Sequence, residues 1–117
     1  MTICEVYVGD LEDPNFNWTG GNWNGNIPAR LSPTFPPPPG NYNQSYNHWV
    51  NGNGVASRQT DFGGHVAKVT RSQIVDFIAQ SYRSERSPEA RKRINDLVNF
   101  VMRLEDEQFY ALVATEW

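Results

Sequence analysis

Residues 65–104 read HVAKVTRSQIVDFIAQSYRSERSPEARKRINDLVNFVMRL, and one boundary inside them, Val69-Thr70-Arg71-Ser72-Gln73-Ile74, anchors the reading of the whole chain. A threonine followed three residues later by a glutamine forms a capping box. The hydroxyl accepts from the backbone of the third helical residue, that residue's amide reaches back to the cap, and an apolar residue before the cap staples onto the fourth position, here Val69 onto Ile74. A helix is therefore predicted from Arg71. Ile74, Phe77, Ile78 and Tyr82 then recur at helical spacing and give it one apolar stripe. Ser87 can cap a second helix with Pro88 at its first position, where a missing amide proton costs nothing. Ile94, Leu97, Val98, Val101 and Leu104 continue that helix. Both helices are apolar on one side and charged on the other, so they are expected to lie against a sheet.

The strands of that sheet are read outward from the helices. His65 to Val69 leads into the first helix as a short strand. In Thr2 to Val8, Cys4, Val6 and Val8 alternate with Ile3, Glu5 and Tyr7, the period of a strand, which would place Cys4 in the core. Phe109 to Ala114 is apolar on both alternating faces, which predicts a central strand covered on both sides. Pairing of the first and last strands would bring the two ends of the chain together. With 117 residues, the expectation is one α+β domain, an antiparallel or mixed sheet with two helices packed on it. Residues 1–13 supply the N-terminal strand and an acidic turn, 14–64 an irregular aromatic-rich excursion, and 65–117 a strand-helix-helix-strand unit.

The excursion has no helical period and interleaves ten asparagines with glycine and proline. Asn51-Gly52-Asn53-Gly54, between Val50 and Val55, and Asn24-Gly25 are expected to be hairpin turns. Yet eight of the chain's 15 aromatic residues fall here, which argues against a flexible tether, and an ordered irregular segment of this length is usually either functional or hiding short strands. Pro36 to Pro39 should form a rigid polyproline strut. Trp and Tyr bring contact area, and Asn and Gly bring adaptable hydrogen bonding, the composition of many binding loops. The candidate partner-binding residues are thus Trp18, Trp23, Tyr42, Tyr46 and Trp49, joined by the acidic residues Asp10, Glu12 and Asp13. The competing reading is that the same rings complete the core beneath the loop.

Charge and motifs narrow the chemistry further. Net charge is −3, and Arg30 is the sole formal charge between Pro14 and Ser57. The short basic run Arg91, Lys92, Arg93 is no basic face, so nucleic acid is not an expected partner. His48, His65 and Cys4 are the soft or borderline metal ligands, with no pair at ligand spacing, and neither a metal nor a cofactor is expected. A lone cysteine forms no intramolecular disulfide, and the chain has no signal-peptide pattern and no apolar run of about 20 residues, so a soluble, cytoplasmic protein without a membrane segment is expected. The sequons at Asn17 and Asn43 are then chance matches.

These features lead to the expectation of a small non-enzymatic protein-binding inhibitor. Its size and acidity match the general character of bacterial immunity proteins and phage counter-defence inhibitors, a match of composition and not of sequence. Its acidic turn would suit a basic enzyme or effector. One alternative is a small nuclease or transferase in which His65 acts as general base and Arg58, Lys68 or Arg71 stabilises an anion, which requires these residues to converge in space. A second alternative is a carbohydrate- or peptide-binding module.

Overall fold

Thr70 carries out the capping its sequence predicts. Its hydroxyl accepts from Gln73 N, and the Gln73 side chain accepts from Thr70 N at 2.9 Å. In the computed structural model, which describes residues 2–16, 27–59 and 64–116, this cap separates strand β3 (His65–Thr70) from helix α2 (Arg71–Tyr82). Ser87 caps α3 (Pro88–Val101) by accepting from Ala90 N, with Pro88 in the first turn. Arg71 then closes the far end of α3. Its Nη1 donates to the carbonyls of Met102 and Leu104 at 3.4 and 3.2 Å, and its Nη2 lies 3.2 Å from Asp106.

The remaining strands are β1 (Ile3–Gly9), β2 (Ser57–Gln59) and β4 (Phe109–Glu116). All pairings are antiparallel, in the order β1-β4-β3-β2, so the C-terminal strand is central and pairs with the N-terminal one as expected. A register shift between Ile3 and Glu5 overturns one detail. The irregularity turns Ile3 into the core beside Val6 and Val8 and leaves Cys4 half-buried, its thiol donating to Thr2 O, so Cys4 is not the core residue that simple alternation predicts.

The larger correction concerns the excursion. Tyr42–Asn53 is a helix, α1, so the described residues hold three helices where two were expected. Asn41 caps it by accepting from Gln44 N at 2.8 Å, and Gly54, at φ +60°, ends it in the left-handed conformation. The predicted hairpin turn at Asn51-Gly52-Asn53-Gly54 is the end of this helix instead. A tight hairpin and a helix terminus both call for a glycine at positive φ, so one dipeptide signal serves either. Tyr42, Tyr46, Trp49 and Val50 form the buried stripe of α1, a helical period obscured by the asparagines around it. The other predicted turn, Asn24-Gly25, lies outside the described residues.

The core lies between the helices and one sheet face. Phe77 of α2 is its aromatic centre, with the rings of Trp49, Phe35 and Tyr46 at 5.5, 6.0 and 6.3 Å. Tyr46 is 1% exposed, and its hydroxyl donates to Leu112 O at 2.8 Å, tying α1 to the central strand. The opposite sheet face carries Tyr7, Val66, Ala111 and Val113, against which Leu11, Phe16 and Ile27 pack. β4 is thus buried on both sides, as its unbroken apolar run requires.

Residues 27–40 form an extended strap along the outer side of β1. Leu31 N and Ser32 N donate to Val8 O, Phe35 N donates to Val6 O at 2.8 Å, and Ser32 Oγ accepts from Val8 N at 2.8 Å. Gly9 is needed at this crossing. A Cβ there would meet Val113 Cγ2 at 3.0 Å and Pro28 Cβ at 3.1 Å. Pro36 and Pro38 are buried and Pro37 and Pro39 exposed, so the proline run acts as a strut against the helices. Two tyrosines hold it: the Tyr42 hydroxyl donates to Phe35 O and the Tyr82 hydroxyl to Pro36 O.

Candidate binding groove

Three contacts orient α1 against α2. Tyr42 and Tyr82 reach consecutive carbonyls of the strap, while further along Trp49 Nε1 donates to Asp76 Oδ2 at 2.8 Å. The start of α1 therefore lies by the end of α2, and the helices are antiparallel. Between them opens a groove of about 650 Å³. Asn41, Gln44 and His48 run along one wall, and Arg83, Gln80 and Asp76 along the other, with Asn53 at one end and Pro38 and Gly40 of the strap at the other.

The lining is polar, and its charges are arranged in order. Asp76 and Arg83 are both exposed, and among the described residues neither forms an ion pair. Asp76 lies on α2 and Arg83, seven residues on, caps its C-terminal end in helical conformation, so about 10.5 Å of helix axis separates a negative end from a positive one. Gln80 lies between them, and Gln44 belongs to the facing wall. These amides donate and accept without charge. Ser81, which also lines the groove, has a buried hydroxyl with no hydrogen-bond partner, a state uncommon in folded proteins.

The wall contributed by α1 follows from its composition. Its twelve residues include no Asp, Glu, Lys or Arg, and its helix propensity is weakened by Gly52 and by Asn at several positions. Burial of Tyr42, Tyr46, Trp49 and Val50 holds it in place. Its outward side is thereby left with amides and His48 where a solvent-facing helix ordinarily carries paired charges.

Against this geometry the predicted contact residues divide. Tyr42, Tyr46 and Trp49 are 8, 1 and 6% exposed and complete the core. Burial raises the phenol of Tyr42 to about 12, with Arg93 opposing the shift and Glu5 adding to it. Tyr46 and Tyr82 are pushed up further, mainly by burial. Trp18 and Trp23 lie outside the described residues. Two of the three acidic-turn carboxylates are engaged locally: Asp10 Oδ1 accepts from Glu12 N, and Asp13 accepts from Asn15 N and, at 2.9 Å, from Ala29 N. Glu12 itself is exposed.

The residues of the enzymatic alternative are not brought together. His65 lies on the helix-covered sheet face, its Nε2 2.6 Å from Glu116 Oε1 and its ring 6.1 Å from that of Tyr46. Lys68 alternates with it onto the opposite face, where its ammonium sits 4.7 Å above the Phe109 ring. Arg58 pairs in register with Val66 and so belongs to that opposite face as well. Arg71 is occupied at the end of α3. No group of three or more His, Cys, Asp or Glu among the described residues is arranged to hold a metal ion, and no described helix is long and apolar enough to cross a membrane.

The sequence reading missed Gln44, Asp76, Gln80 and Arg83, and considered His48 only as a metal ligand. The signal was the stripe Tyr42, Tyr46, Trp49, Val50. Once it is recognised as a helix, Gln44 and His48 fall four residues apart on an outward side. Comparison with family models, with curated proteins and with solved structures finds no match for this chain.

Proposed function

We propose that this chain is a small non-enzymatic binding protein of inhibitor character, comparable in size and acidity to immunity proteins or phage counter-defence inhibitors, and that it meets a protein partner at the α1–α2 groove. The observation that carries this reading is the groove itself. It is open, amide-lined and flanked by two opposite charges that have no ionic partner among the described residues. Amides and unpaired charges in a concave site serve to orient and select a ligand. The acidic turn retains a steering role through exposed Glu12, since net negative charge speeds encounter with a basic partner. The enzymatic alternative built on His65 is disfavoured because His65 faces one side of the sheet and Lys68 and Arg58 the other, so these residues do not converge.

The test is affinity capture of the tagged protein with a Gln44→Ala/Gln80→Ala variant and a Trp18→Ala/Trp23→Ala variant run alongside. One stoichiometric protein retained by the parent and lost by the folded glutamine variant is expected. Capture unaffected by the glutamine variant, or no specific protein retained at all, refutes the reading.

A further inference from the structure

The order of charges along the groove restricts what can occupy it. Asp76 at one end, with His48 on the facing wall, suits a cation; Arg83 at the other suits an anion. Some 10.5 Å of helix axis separates the two, so a free amino acid, whose ammonium and carboxylate are only a few ångström apart, cannot reach both. An extended chain can. In a polyproline-like conformation side chains return to the same side every third residue, at about 9.3 Å. Such a chain makes no internal hydrogen bonds, so its carbonyls and amides remain available to side-chain amides such as those of Gln44, Gln80, Asn41 and Asn53.

We propose that the groove binds an extended protein segment carrying a cationic and an anionic side chain three residues apart, the cation against Asp76 and the anion against Arg83. This rests on the reading of the groove as a partner-binding site and names what it selects. Trp49 adds positioning. Its indole N–H holds one carboxylate oxygen of Asp76, fixing the group that meets the cation while its charge remains exposed to the groove. A segment of uniform charge would place one like-charged side chain against an end of the groove, so the two ends together reject basic and acidic tails alike.

The probe is a blocked tetrapeptide of arginine, two prolines and glutamate, titrated into the isotope-labelled protein and followed by NMR, with the Trp49 indole N–H and the Gln44 and Gln80 side-chain amides as reporters. A control peptide replaces the charged residues with glutamine. Saturable shifts at these reporters are expected, with affinity about fivefold weaker for each of Asp76→Asn and Arg83→Gln, the scale of one partly exposed charge pair, and about 25-fold weaker for the control peptide, which lacks both charges. Asp76→Asn retains an oxygen acceptor for Trp49, and an unchanged spectrum of the free variant establishes that its fold is intact. No reporter shift at about 10 mM peptide, weaker than any useful recognition, overturns the proposal, as does equal binding of the control peptide. Partner capture that is lost in the glutamine variant but kept by Asp76→Asn and Arg83→Gln overturns the charge rule and leaves the binding reading standing.

Discussion

Tyr46 tests how α1 is attached to the sheet. Its ring lies in the core against Phe77, and its hydroxyl donates to the carbonyl of Leu112 on the central strand. Tyr46→Phe retains the ring and removes the donor, leaving a buried acceptor short of a partner, which costs about 1–2 kcal/mol. For a chain of this size that corresponds to a fall in Tm of roughly 4 °C per kcal/mol. Tyr46→Ala also opens a cavity beside Phe77 and costs about 3–5 kcal/mol, a large share of a total stability of about 5–15 kcal/mol. The assay is urea denaturation followed by far-ultraviolet circular dichroism, with an unchanged m-value showing that both variants unfold between the same two states. Because the hydroxyl points inward, Tyr46→Phe should leave partner capture intact. A Tyr46→Phe variant as stable as the parent refutes the bond to Leu112, and a Tyr46→Ala cost below about 1 kcal/mol refutes the docking of α1 through this ring.

Other perturbations have equally definite outcomes. Burial raises Tyr42 to about 12 and Tyr7, Tyr46 and Tyr82 in the same direction, so above pH 10 the unfolded chain releases protons that the folded chain keeps. The tyrosine contribution to stability is therefore complete below pH 10 and lost as pH rises toward and through the folded values, by up to about 1.4 kcal/mol per pH unit for each tyrosine, measurable as a falling urea midpoint between pH 9 and 11.5. Gly9→Ala places a methyl between Val113 and Pro28 and should destabilise by about 1–3 kcal/mol, whereas a neutral result in thermal melts would mean that the strap lifts freely from β1. Thr70→Ala removes the hydroxyl half of the capping box and should cost about 1 kcal/mol, read in the same melts.

The sequence is legible where local signals are redundant. At Thr70 the cap, its glutamine and the following apolar stripe agree, so α2 falls where predicted, and β4 is recognisable because an apolar run on both alternating faces requires a central position. It is opaque where one residue type serves two conformations. Asn-Gly repeats read as hairpin turns, yet burial of Tyr42, Tyr46 and Trp49 pulls the same residues into a helix that their own propensities oppose. The groove was hidden for a different reason. Gln44 and Gln80 are 36 positions apart and meet only through the antiparallel order of α1 and α2, which the tyrosine clamps and the Trp49–Asp76 bond establish in three dimensions. Composition did identify segment 14–64 as a place where aromatics and amides gather. It could not say that Tyr42, Tyr46 and Trp49 turn inward while Gln44 and His48 face outward.

The strap along β1 also bears on assembly. A terminal strand of a sheet ordinarily offers a row of free amides and carbonyls to any passing chain, and so invites strand exchange or fibril growth. Here Val6 and Val8 already have their outward carbonyls taken by Phe35, Leu31 and Ser32, and the Val8 amide is taken by the Ser32 hydroxyl. Prolines follow at once, and they carry no amide with which to extend the ladder further. On the opposite border β2 is three residues long and gives an incoming strand little to grip. The segment that sets one end of the groove thus also covers this border of the sheet against the addition of a further strand.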